Sequence, residues 1–115
     1  MLGREDDARQ AYDKAYKLAP NDADIVAEYA WLLYKRDPTN TQGLVRTLYT
    51  TLYRLEPRHQ DAQWFLGLAS YQSGKYRDAI KYWEELAAGL PKGSNAEQGV
   101  RKAIAQAEAQ YKKSK

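Results

Sequence analysis

The chain has 115 residues, 43% of them apolar, with a net charge of +3 and no cysteine. That length holds one domain, and the absence of cysteine excludes disulfides, thiolate metal sites and cysteine nucleophiles while leaving the compartment open. Basic and acidic residues are interspersed as on a solvated helix surface, with no basic stripe or RNA-binding signature, and no run of 18 apolar residues or signal peptide is visible.

Taken in chain order, the first predicted helix covers 4–19. It follows Gly3 and carries Ala8, Tyr12 and Ala15 before Pro20. Read as a turn glycine, Gly3 implies that a partner helix precedes the chain and that Met1 opens a trimmed fragment, so the missing leader and membrane segment say little about the parent protein. An unpaired first helix exposes Tyr12 and Ala15, a surface on which a second copy of the chain can pair. Helices over 23–36 and 42–55 follow, separated by a long turn from Lys35 to Gly43. Helices over 60–73 and 76–89 flank a short turn at Gly74, and Pro91 stops the second of them because proline cannot continue a helix. A loop at Lys92-Gly93-Ser94 leads to a last helix over 95–112. Ser94 and Glu97 have capping-box spacing there. Ala96, Val100, Ala103, Ile104, Ala107 and Tyr111 recur along one face of that helix. Lys112, Lys113 and Lys115 read as a frayed, solvated tail.

These elements repeat. Gly3, Ala8, Tyr12 and Pro20 have the spacing of Gly74, Ala79, Trp83 and Pro91, and Pro57 to Pro91 spans 34 residues. Pro20 to Pro57 spans 37, the extra length falling in the long turn. A period of this size marks stacked helix pairs. The best copy, Ala62, Leu66-Gly67, Gly74, Tyr76, Ala79, Trp83 and Pro91, resembles the tetratricopeptide repeat (TPR). The resemblance implies an all-α TPR solenoid of antiparallel helix pairs. Its parts are a partial repeat at 1–20 (second helix only), a degenerate repeat at 21–57, a full repeat at 58–91 and a capping helix at 94–113. In it Gly67 and Ala79 face each other across the helix pair, Trp83 fills the space beside them, and Gly74 makes the turn.

Catalytic chemistry has no visible carrier. The sole histidine, His59, falls in a loop after Pro57 and reads as a solvated turn residue; no second histidine makes a ligand pair. Asp6-Asp7 and Glu84-Glu85 are sequence neighbours, which point about 100° apart on a helix and cannot share a substrate. No nucleophile elbow, P-loop or dinucleotide fingerprint is present. The expectation is a non-enzyme without catalytic residues, metal or cofactor, and without a nucleic-acid partner.

The TPR resemblance instead implies a concave groove lined by the first helix of each repeat. Its positions fall on Asp24, Ala27, Trp31 and Tyr34 in the second repeat, and on Asp61, Trp64, Leu68 and Tyr71 in the third. Most are aromatic or apolar, which suits an apolar or amphipathic helix with anchors at i, i+3, i+4 and i+7. Asp24 and Asp61 at the rim favour some positive charge on the ligand. The Lys, Asn and Arg with which chaperone-binding TPR domains grip a terminal carboxylate are missing. Trp31 and Trp64 have a second possible role, packing between repeats; Trp83 sits at a core position.

The run Ala62-Gln63-Trp64-Phe65-Leu66-Gly67-Leu68-Ala69, with Gly74-Lys75-Tyr76, Ala79-Ile80, Tyr82-Trp83, Leu86 and Leu90-Pro91-Lys92-Gly93-Ser94, is more specific. It is similar to the TPR domain of the c-type cytochrome biogenesis proteins (the CcmI, CycH and NrfG group), over about residues 2–107. Gln63 departs from the more usual aliphatic residue. This resemblance implies a protein on the periplasmic side of the bacterial inner membrane, tethered only through a segment absent from this chain. It implies noncovalent binding of apocytochrome c, through its C-terminal helix, and presentation to subunits of the haem lyase complex. The rival expectation is a generic TPR scaffold, cytoplasmic or envelope-associated, holding an apolar peptide in an unrelated assembly.

Overall fold

The fold was analysed in a computed structural model that describes residues 2–115, with side chains from Asp6 onward. Met1, the expected fragment start, lies outside the described residues. Six helices and no strand occur among them: α1 (Leu2–Leu18), α2 (Ala23–Arg36), α3 (Leu44–Leu55), α4 (Gln60–Gln72), α5 (Tyr76–Ala88) and α6 (Asn95–Ser114). This is the all-α TPR architecture. Gly3, expected in a turn, lies inside the first turn of α1.

The chain forms two compact units, Met1–Glu56 and Pro57–Lys115. In the first, α2 packs against both α1 and α3. Val26, Tyr29 and Ala30 of α2 and Val45, Leu48, Tyr49 and Leu52 of α3 are buried, each set recurring at the three- and four-residue spacing of one helix face. Tyr29 is the hinge of the α1 packing. Its ring stacks on Tyr12 at 6.2 Å and meets Tyr16 edge-on at 6.0 Å, while its hydroxyl donates to Asp13 at 3.3 Å. Burial raises the pKa of Tyr29, and the Asp13 carboxylate adds to that rise. Tyr12 is raised by burial and then by Glu28. Lys17, at 3.0 Å, holds the Asp13 carboxyl below its ordinary range.

Local chemistry sets the helix ends. Asp22 caps α2, its carboxylate accepting from the Asp24 and Ile25 amides at 3.0 and 3.2 Å. The long connection over 37–43 is organised by short-range bonds, Thr39 hydroxyl to Asp37 at 2.7 Å and Gln42 amide to Asn40 at 3.0 Å. It ends at Gly43, whose φ of 72° delays the start of α3 to Leu44.

In the second unit, α5 packs against α4 on one side and α6 on the other. The core is Ala79, Trp83, Leu86 and Ala87 of α5 with Val100, Ile104 and Ala107 of α6. Of the expected α6 face, Ala103 and Tyr111 are half-buried and Ala96 is exposed. Gly74 makes the α4–α5 turn with φ 77°. Ser94 caps α6, accepting from the Glu97 amide at 3.1 Å, but the Glu97 carboxylate reaches back to the Gly93 amide at 2.9 Å. The capping box is therefore closed one residue early.

Trp83 fills the space over Gly67: a Cβ there would fall within the indole, 2.6 Å from Cε2. Two expectations need correction. His59 is not a solvated loop residue. It is half-buried at the N-terminus of α4, with Nδ1 buried and unpaired. The lysine tail is solvated as expected, with Lys112, Lys113 and Lys115 exposed, but it is not frayed, since α6 continues to Ser114 and Lys115 Nζ sits 4.9 Å from the Tyr111 ring centre.

Candidate peptide-binding faces

Helix α2 buries one face in its unit, which turns Asp24, Ala27, Trp31 and Tyr34 onto another. Asp24 is exposed, Ala27 and Tyr34 are half-buried, and Trp31 is 44% exposed. Tyr34 lies 5.9 Å from the Trp31 ring at 34°. Lys35, one turn beyond Trp31, places Nζ 5.7 Å from the indole centre, within cation–π range. The face therefore grades from carboxylate at Asp24, through indole and phenol, to ammonium at Lys35. The sequence places Lys35 at the start of the long turn and not on this face; it lies in the last turn of α2, and its i+4 spacing from Trp31 was available as a signal.

Helix α4 is built differently. Asp61 is exposed, while Trp64, Leu68 and Tyr71 are half-buried and pack against the α5–α6 core. Trp64 stacks on Trp83 with centroids 5.4 Å apart at 25°. The Trp83 indole N–H donates to the Trp64 carbonyl at 3.2 Å. Tyr71 lies 6.0 Å from Trp83 and meets Tyr76 edge-on at 5.3 Å. Each of these side chains thus has one side in the core and part of its surface outside it. Trp83 is 3% exposed, as a core residue should be. Gln63 is buried where an aliphatic residue is usual, and its amide donates to the Pro57 carbonyl at 3.0 Å, which satisfies the polar group.

The eight expected residues thus form two sets, four within each compact unit. A separate cleft of about 300 Å³ is lined by Arg58, Gln60, Gln63, Glu85, Ala88 and Gly89, and it contains none of them. Among the described residues no group of three or more His, Asp or Glu side chains is placed to hold a metal ion. Among the same residues no helix is long and apolar enough to cross a membrane.

The family model described as the TPR domain of cytochrome c-type biogenesis protein H matches residues 1–97. This chain belongs to that family. A curated relative, the cytochrome c-type biogenesis protein CycH of Pseudomonas aeruginosa, is 25% identical over 101 residues, covering 88% of this chain. The chain spans a quarter of that relative's length. Within this TPR domain Trp31 and Lys35 both remain exposed on α2.

Proposed function

We propose that this domain binds a segment of apocytochrome c, its C-terminal helix, and holds it noncovalently for haem attachment by the lyase complex. The domain supplies no catalytic group. It acts on the periplasmic side of the bacterial inner membrane, and the repeat units at 1–20, 21–57 and 58–91 with the cap at 94–113 form its framework.

Trp31 is the observation that carries this reading. Exposing 44% of an indole on a well-packed helix leaves apolar surface in water, and burying such a ring under a ligand is worth about 1.5–3 kcal/mol before ordering costs. Tyr34 and the outer parts of Trp64, Leu68 and Tyr71 add apolar surface at helical spacing. A helical ligand uses such surfaces through anchors on one of its faces. The cytochrome c-type biogenesis family, to which the Pseudomonas relative also points, supports an apocytochrome as the ligand.

The test is a fluorescence titration with an apocytochrome C-terminal helix peptide, a C-x-x-C-H peptide and scrambled versions of both. Saturable binding of the C-terminal helix alone is the expected result. Equal response to the scrambled peptide would overturn the assignment.

A further inference from the structure

Beyond the peptide faces, the second unit carries a site of different chemistry. Arg77, Ile80, Glu108, Tyr111, Lys112 and Lys115 line a cleft of about 310 Å³ between α5 and the end of α6. Tyr111 is its centre: the Arg77 guanidinium lies 5.9 Å from the ring centroid and Lys115 Nζ 4.9 Å. Both cations are held against an aromatic face instead of a carboxylate, and none of the ion pairs among the described residues uses Arg77, Lys112 or Lys115. One acidic residue in the cleft lining, Glu108, stands against these three cations. The charge is also unevenly shared along the chain. Residues 57–115 hold ten Lys and Arg against six Asp and Glu, whereas 1–56 hold eight against nine. The cleft's α6 residues lie beyond the family match, which ends at 97.

From this geometry we propose that the α5–α6 cleft docks the domain on an anionic phospholipid surface, with a headgroup phosphate between Arg77, Lys112 and Lys115. Tyr111 and Ile80 are half-buried; Ile80 adds apolar surface, and Tyr111 has the apolar body and polar tip of an interfacial residue. Clustered Lys and Arg near such a surface each add a small, salt-screened attraction. This inference stands independently of the apocytochrome reading.

The experiment is vesicle flotation of the full chain with phosphatidylglycerol in phosphatidylcholine, against phosphatidylcholine alone. Binding to the anionic vesicles, weakened by salt, is expected. Lys112→Glu with Lys115→Glu should reduce it by at least about tenfold, and the charge-matched Lys92→Glu with Lys102→Glu should leave most of it. Tyr111→Ala, which keeps the net charge, should also weaken it. Helicity measured in parallel checks that each variant is folded. Equal loss in the two double variants would reduce the effect to overall charge and overturn the site. Equal binding to neutral vesicles, or none to either, would overturn it as well. Saturation of the Tyr111 resonances by inorganic phosphate or by a poly-glutamate peptide, without vesicle binding, would assign the cleft to a soluble anion instead.

Discussion

Replacing Gly67 by alanine puts a methyl group where the Trp83 indole already lies. Alanine gains about 1 kcal/mol of helix propensity over glycine. That gain is outweighed, because the indole cannot retreat: it is stacked on Trp64 and tied by its N–H to the Trp64 carbonyl. Overpacking of this kind costs about 1–3 kcal/mol, so Gly67→Ala should lower the urea midpoint of the chain; an unchanged or higher midpoint would show that the ring has room. Trp31 behaves in the opposite way. Its truncation should change stability by no more than about 0.5 kcal/mol, since the side chain is largely outside the core. The glycine at 67 and the tryptophan at 83 were legible from the repeat pattern, but which atoms meet was not. That depends on how two helices cross, and no spacing rule gives it. His59 was misread for a related reason: its burial comes from the fold around the start of α4, while its sequence neighbours Pro57 and Arg58 look like an open loop.

At the scale of elements, the α1–α2 packing should be sensitive to alkali. Tyr12 and Tyr29 both have pKa values raised above 10.0. As pH rises past 10.0 the unfolded chain loses these protons first, so the folded state's advantage is present below that pH and disappears as pH climbs through the folded values. Urea melts followed by circular dichroism should show a falling midpoint over this range, with a shallower fall in Tyr29→Phe; identical slopes would contradict the coupling. Caps offer a second check. Asp22→Ala removes two hydrogen bonds at the start of α2 and should cost about 1 kcal/mol. Helix existence and order were readable throughout, because proline, glycine and the apolar period mark each element. The end of α6 was not. A run of lysines reads as solvated charge, and only the Tyr111 ring beside Lys115 and Arg77 reveals what holds it in place.

For the whole molecule, the two units carry different surfaces. The first presents the exposed Trp31 with Lys35 over it. The second closes its own core from α5 and α6 residues, with Trp64, Leu68 and Tyr71 against it. A fragment over 57–115 should therefore stay helical and unfold cooperatively; a broad, non-cooperative melt would show that its core needs the first unit. Trp31 on α2 is exposed while Trp64 on α4 is half-buried, so one residue type has two meanings here. In the repeat Trp31 aligns with Leu68 and Trp64 with Ala27, and the ring that separates the roles of the two tryptophans is Trp83, which stacks on Trp64. Loss of Trp64 mixes binding with stability, and loss of Trp31 does not. The decisive measurement is accordingly a titration of the parent chain and Trp31→Ala with the apocytochrome C-terminal helix peptide, each with its urea midpoint. The account expects an unchanged midpoint and affinity weakened by roughly 30-fold, the size of a central aromatic anchor. Unaltered affinity in a Trp31→Ala chain of unaltered stability would contradict it.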